Sequence, residues 1–375
     1  MKIAFDLRRI GNPGIGRYMK CLTESIIAQA PEHEYLLVLP PEGEHLIHAP
    51  KVEKLCTSLK YYSFREQFEL PQILRRHKVD LLHSPHFLLP LVRSCPAVAT
   101  IHDVIYMACP EDLPSRAGRL YYRIMMNACS RTAARIITDS EHSRNEIMSY
   151  LHADSEKIEV IYPAAGPFFH SEANPAQIAS VRSRFGIDRD YVLCVGIYKP
   201  RKNHAKLLSA FHKMRDRGCQ AQLVVAGPMA EGEPVLRRLA RELGIGERLI
   251  FTGFVNDADL RALYSSARVY ACPSVYEGFG FTVLEAMACG TPVVCSSATS
   301  LPEVAGKAAL YFDPHNPEEM ASQLVRVFSD DAVRTSLIAE GHRNLLRFNW
   351  KETARQTLAV YHQALHRPVP GAAYA

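Results

Sequence analysis

Short runs rich in β-branched and aromatic residues alternate with stretches of helical period along almost the whole chain, and this alternation restricts the fold more than any single motif. In the first half the runs are Lys2–Leu7, Tyr35–Leu39, Asp80–His83, Ala97–His102, Ile136–Asp139 and Ile158–Tyr162. In the second half they are Tyr191–Ile197, Gln222–Ala226, Leu249–Phe254, Arg268–Cys272, Pro292–Cys295 and Ala309–Phe312. Strands that alternate with helices build βαβ units and parallel sheets, which predicts an α/β protein. A chain of 375 residues exceeds what one core supports, so two domains are expected. The polar, proline-punctuated stretch from 164 to 177 separates the two series of strands.

Helix signals fall between the runs. Asn256-Asp-Ala-Asp259 opens a segment in which Leu260, Leu263, Tyr264 and Ala267 follow the spacing of a buried helical face. Ser300-Leu-Pro-Glu303 has the spacing of a capping box and predicts another helix start. A last helix is expected from Trp350.

A hydrophobic content of 47% and a charged content of 22% are those of an ordinary globular protein. No apolar run reaches the ~20 residues needed to cross a bilayer. The first residues, Met1 to Arg9, become charged too early for a secretion signal, so a cytoplasmic protein is expected. The ten cysteines are scattered in apolar contexts without zinc spacing, which predicts reduced core thiols. A net charge of +5 suits anionic ligands without demanding nucleic acid.

Residues of ligand-binding type recur just after predicted strands, where a doubly wound sheet receives its ligand. After the first strand comes Gly11-Asn-Pro-Gly14-Ile-Gly16-Arg17-Tyr18. Arg17-Tyr18 stands where a P-loop needs Lys-Ser/Thr, and Met19 where a dinucleotide fingerprint needs its third glycine. A nucleotide triphosphatase and an NAD enzyme are therefore disfavoured. What remains is a small-residue loop that admits a ligand to backbone N–H groups, or a plain tight turn. His102-Asp103 follows another strand end and can exchange a hydrogen bond with a substrate hydroxyl, although a structural histidine is the plainer reading of His102 alone. His83 and His86 read as structural.

Tyr198-Lys-Pro-Arg-Lys-Asn203 is the most concentrated positive loop. Lys199, Arg201 and Lys202 are suited to neutralise a diphosphate, lysine as a point charge and arginine as a fork. Cations at a helix start are unfavourable unless an anion arrives, which counts against a merely solvated charge run. The stretch Ser274 to Val294 sets Glu277 in a loop, then Gly278-Phe-Gly280, then Glu285 within the following helix. Paired acids serve glycoside hydrolysis. This spacing suits a polyhydroxylated, phosphate-bearing ligand better, with helix N–H groups for phosphate and carboxylates for vicinal hydroxyls.

Taken in order, Gly14-Ile-Gly-Arg-Tyr18, His102-Asp103, Ile137-Thr-Asp-Ser140, Pro200-Arg-Lys-Asn203, Val225-Ala-Gly227, Phe251-Thr-Gly253, the Glu-x7-Glu element at 277 and 285, Gly290-Thr-Pro-Val-Val294 and Pro302-Glu-Val-Ala-Gly306 resemble a family 4 type retaining glycosyltransferase of the GT-B fold. The resemblance covers nearly the whole chain. It implies two Rossmann-like domains, 1–168 on the acceptor side and 169–349 for the nucleotide sugar, facing across a cleft, with a C-terminal helix over 350–375 packing back on the first. It assigns His102, Glu277, Arg201 and Lys202 to catalysis and Gly14, Gly16, Gly227, Phe279, Gly280 and Glu285 to the donor. In that scheme Arg201 or Lys202 holds the diphosphate, Glu277 and the backbone at Phe279-Gly280 the transferred sugar, and Glu285 the ribose. Many relatives carry arginine after the glycine equivalent to Gly196; here Ile197 stands there, and the diphosphate role rests on Arg201 and Lys202.

The implied reaction needs no cofactor and no metal, since the cationic loop supplies charge at the leaving group. The opening Gly14-Ile-Gly-Arg-Tyr18 most resembles mannosyltransferases using GDP-mannose, with glucosyl and rhamnosyl donors also compatible. The expected acceptor is a glycan or is lipid-linked. From Ser115 to Thr138 the chain carries five arginines with Tyr121, Tyr122, Met125 and Met126 and no acid, a pattern that fits peripheral contact with an anionic membrane face or an ordinary solvated helix. The rivals are a glycoside-cleaving enzyme, a GT-B-type epimerase and a silent nucleotide-sugar-binding scaffold.

Overall fold

The computed structural model describes residues 1–12, 14–49, 52–170, 173–229 and 232–366. The chain divides into two compact units, Met1–Ala164 together with the segment from Phe348 onward, and Ala165–Arg347.

The first unit carries a seven-stranded parallel sheet: β1 (Lys2–Asp6), β2 (Glu34–Leu39), β3 (Glu53–Cys56), β4 (Leu81–Ser84), β5 (Ala97–Thr100), β6 (Arg135–Thr138) and β7 (Ile158–Val160), in the order β3-β2-β1-β4-β5-β6-β7. The second carries six parallel strands: β8 (Tyr191–Val195), β9 (Gln222–Ala226), β10 (Leu249–Gly253), β11 (Val269–Cys272), β12 (Val293–Ser296) and β13 (Ala309–Phe312), in the order β10-β9-β8-β11-β12-β13. Each sheet reverses its strand order once, between β1 and β4 and between β8 and β11. In open α/β sheets the loops leaving such neighbouring strands diverge, and ligands are received there, at the carboxyl end.

The strands read as continuous apolar runs because both sheet faces are covered. β1, β4, β5, β8, β9, β11 and β12 are buried almost throughout. β3 was not expected from the sequence. Glu53-Lys-Leu-Cys56 is mostly exposed at the sheet edge, and charged side chains there guard the open edge while hiding the strand signal. All ten cysteines remain thiols, most of them buried.

Asn256 starts its helix as expected, its side chain accepting from the Asp259 N–H at 2.9 Å. The capping box at Ser300 does not form. Helix Leu301–Ala305 begins there, but the Ser300 hydroxyl donates instead to the carbonyls of Glu277 (2.9 Å) and Phe279 (2.8 Å). Near the first boundary, Phe169 is fully buried with its ring 6.0 Å from Tyr264 of the second unit, so the turn Pro167–His170 belongs with the second core. The helix Trp350–Leu365 packs on helix Ile15–Gln29 of the first unit. Its Tyr361 hydroxyl meets His83 Nδ1 at 2.6 Å, and Gln29 donates to the Lys351 carbonyl. The remainder of the segment expected to be helical, 367–375, lies outside the described residues.

Candidate active site

In the second unit the switch point brings the cationic loop and the first of the paired acids together. β8 feeds the loop to Lys202, β11 feeds the loop to Glu277, and the two strands are direct neighbours. The loops are laced by backbone: Val275 N–H donates to the Arg201 carbonyl at 2.8 Å. Asn203, in the left-handed region at φ 56°, uses its amide to bind the carbonyls of Pro273 (3.0 Å) and Pro314 (2.7 Å).

On this frame Lys202 Nζ donates to Glu277 Oε1 at 2.6 Å and Arg201 Nη1 lies 3.7 Å from Oε2. Ser274 donates to the same Oε1 at 2.6 Å, and the Glu277 N–H donates to Thr299 Oγ1 at 3.0 Å. Burial pushes the Glu277 pKa up, yet the fields and hydrogen bonds of Lys202, Arg201 and Ser274 prevail and hold it below the usual carboxylate value. Glu277 is therefore an anion. The three side chains of this triad, Lys202, Arg201 and Glu277, together carry a net charge of plus one. Phe279 is buried, its carbonyl anchored by Ser300, and Gly280 stands directly before helix Phe281–Ala288. Glu285 lies inside that helix, also buried, and accepts from the Tyr264 hydroxyl at 3.2 Å.

In the first unit His102 Nδ1 lies 2.6 Å from Asp139 Oδ2 and Nε2 lies 3.3 Å from the Pro85 carbonyl. Both partners only accept hydrogen bonds, so the pair of contacts favours a ring protonated on both nitrogens. Burial lowers the His102 pKa, but Asp139 and Asp103 outweigh it and the net shift is upward. Tyr18, in the first turn of helix Ile15–Gln29, stands edge-on to the ring at 4.7 Å. Asp139 was not assigned a role from the sequence. The signal was present in the strand ends: β5 and β6 pair in parallel, so residues just beyond their carboxyl ends become neighbours.

Residues 178–344 match the family described as glycosyl transferases group 1, and residues 14–165 match Glycosyltransferase Family 4. The O-antigen chain mannosyltransferase B of Escherichia coli is 35% identical over 96% of this chain and 99% of its own length. The chain belongs to the family 4 type glycosyltransferases. Among solved structures, the sucrose-phosphate synthase of Thermosynechococcus elongatus superposes with a TM-score of 0.78 at 22% identity, covering 97% of this chain and 98% of that one. Anabaena HepE, solved in complex with UDP and glucose, gives 0.74 at 22% identity over 96% and 99%. The fold of this glycosyltransferase is GT-B.

Two of its glycines are required by close packing. A Cβ on Gly16 would lie 2.0 Å from the Ile10 carbonyl oxygen, and one on Gly227 would lie 2.2 Å from the Gly196 carbonyl oxygen. Gly14 precedes helix Ile15–Gln29 directly. The basic stretch 115–138 is not one helix. Helix Arg116–Thr132 ends before β6, and Arg135 lies in that strand, 3.8 Å from Glu159. Tyr122, Met125 and Met126 are core residues. The exposed apolar side chains are instead Leu120 and Ile124, which line a shallow groove with Arg123 and Arg131.

Proposed function

We propose that this glycosyltransferase moves a hexosyl group, mannosyl in preference, from a nucleoside-diphosphate sugar to a glycan or lipid-linked acceptor in polysaccharide synthesis, with retention at the anomeric carbon and without a metal. The Lys202–Glu277–Arg201 triad carries this reading. Its two cations suit a departing diphosphate, and its ionised carboxylate suits sugar hydroxyls. The likeness to a mannosyltransferase over nearly the full chain supports the sugar, and GDP-mannose is the proposed donor. In the proposed step the acceptor oxygen bonds to the anomeric carbon as the carbon–diphosphate bond breaks, and the acceptor proton passes to the leaving phosphate oxygen. Glu285 is proposed for the ribose, with Gly14, Gly16, Gly227, Phe279 and Gly280 shaping the donor site.

The test is release of GDP, UDP and dTDP from a donor panel, with and without a chelator. GDP from GDP-mannose, released only with acceptor present and undiminished by the chelator, is the expected result. Hydrolysis without acceptor favours a glycoside-cleaving enzyme, conversion of the sugar nucleotide an epimerase, and binding without turnover a scaffold.

We also propose that the protein works in the cytoplasm and rests on the inner membrane face. Among the described residues no helix is long and apolar enough to cross a membrane. Leu120 and Ile124, flanked by Arg123 and Arg131 on an acid-free helix, suit an anionic lipid surface. Reversing both arginines to glutamate is expected to remove the protein from anionic liposomes in a co-sedimentation assay, and unchanged sedimentation would refute the contact.

A further inference from the structure

Arg9 follows β1 at the switch point of the first sheet, and its surroundings are unusual for an arginine. Nη1 donates to the Tyr62 hydroxyl at 2.8 Å and to His86 Nε2 at 2.7 Å, and the guanidinium lies over the rings of Tyr61 and Tyr62 at 5.8 and 5.7 Å. Because Nε2 accepts, His86 carries its proton on Nδ1 and is neutral. Burial and the Arg9 charge hold its pKa well below normal, consistent with that tautomer. Every group holding Arg9 is thus uncharged. The adjacent Arg8 differs: it pairs with Asp6 at 2.7 Å and Glu66 at 3.2 Å. Among the described residues no carboxylate pairs with Arg9. Both Nη1 protons are spent, which leaves the Nε–Nη2 edge, the side that receives an oxyanion through two parallel hydrogen bonds.

Apolar side chains extend outward from this cation. The Tyr62 ring packs at 5.9 Å on Tyr121 of helix Arg116–Thr132, the helix that exposes Leu120 and Ile124. Beyond Tyr62 the chain exposes Phe64 (87%) and, in helix Glu66–Arg76, Phe68 (67%), and Gln67 of that helix accepts from the Leu91 N–H at 2.9 Å, which ties it to the loop of Val92. Exposed aromatic side chains of this size suit contact with an apolar ligand.

We propose that Arg9 binds the phosphate of a phosphoester whose apolar chain lies on the Phe64–Phe68 surface, and that this is how the acceptor is held. The assignment rests on the transferase reading and names the class of acceptor: a glycan on a lipid phosphate. His86 and Tyr62 position the guanidinium, and Tyr61 and Tyr62 shield it.

The test is calorimetric titration of the whole protein and of Arg9→Gln, Arg9→Lys and Phe68→Ser with inorganic phosphate and with dodecyl phosphate below its micelle concentration. Dodecyl phosphate is expected to bind the parent at least about tenfold more tightly than inorganic phosphate, since each buried methylene contributes about 0.8 kcal/mol. Arg9→Gln is expected to lose about tenfold or more, Arg9→Lys less, and Phe68→Ser only the preference for the alkyl chain. Unchanged dodecyl phosphate affinity in Arg9→Gln, or equal affinity for the two probes in the parent, overturns the proposal. Should Arg9→Gln melt early, Arg9→Lys and Phe68→Ser decide it alone. In turnover, Arg9→Gln should raise KM for a lipid-phosphate acceptor while its sedimentation with phosphatidylglycerol vesicles stays unchanged. Lost sedimentation with unchanged KM assigns Arg9 to bulk lipid and overturns the acceptor role. Failure of the transferase reading looks different, because nucleotide sugar is then not turned over by any form of the protein.

Discussion

Lys202→Ala should lower kcat/KM for transfer by about 10²–10³-fold, the range found when one preorganised group that stabilises developing charge is removed. Lys202 supplies half of the positive charge in its triad, and it shares Glu277 Oε1 with the Ser274 hydroxyl. The substitution removes one of the two cations that face Glu277, so the net charge of the triad falls from plus one to zero. Affinity for the nucleoside diphosphate and for the nucleotide sugar should both fall. Glu277→Gln separates the two duties proposed for the site. It raises the triad to a net charge of plus two, so nucleoside diphosphate binding should hold or tighten while transfer drops about 10²-fold. Calorimetry for the nucleotide and steady-state kinetics for transfer read the two effects. If Lys202→Ala bound nucleoside diphosphate as the parent does, Lys202 would have no part in holding it.

The second large effect is expected at Asp139. Asp139→Asn keeps an oxygen within reach of His102 Nδ1 but removes the charge that favours the protonated ring. A hydrogen bond to a charged group contributes about 1.5–3 kcal/mol, so transfer above neutral pH should fall roughly 10–100-fold. The alkaline limb of the pH–rate profile should move to lower pH. A loss of the same size at every pH, with no shift of that limb, would show that Asp139 merely supports the fold. Stability follows the same linkage. The His102 pKa is raised by folding, so its contribution is complete below about 6.5, the unfolded value, and is lost as pH rises through the folded value. Glu277 runs the other way: its pKa is lowered, and its contribution is lost as pH falls through the folded value. The charges facing His102 are Asp139 and Asp103, with Tyr18 edge-on and His83 and His86 neutral nearby.

The sheets were legible because parallel strands covered on both faces leave long apolar runs, and twelve such runs correspond to strands of the structure. β3 lay beyond that signal because an edge strand gains from charge. The contact between Lys202 and Glu277 follows once the strand order is known, since β8 and β11 are neighbours and both residues sit in the loops that leave them. The same rule pairs Arg9 with His86 after β1 and β4, and His102 with Asp139 after β5 and β6. Sequence spacing does not carry strand order, so these pairs were not read from it. Ser300 shows a different limit. A capping box is a local pattern, but a hydroxyl goes to whichever acceptor is nearest in space, here the carbonyls of the Glu277 loop.

The Glu277 carboxylate also works as a resident counter-ion. It already occupies Lys202 and Arg201, so a simple sulfate or phosphate must compete with an anion built into the chain and should inhibit weakly. Under the proposed assignment a diphosphate would bring more charge than the carboxylate it displaces, and the sugar it carries would give the displaced carboxylate new hydrogen bonds. Inhibitors that mimic only the phosphates therefore forgo half of this exchange, and compounds that also present vicinal hydroxyls should gain from it.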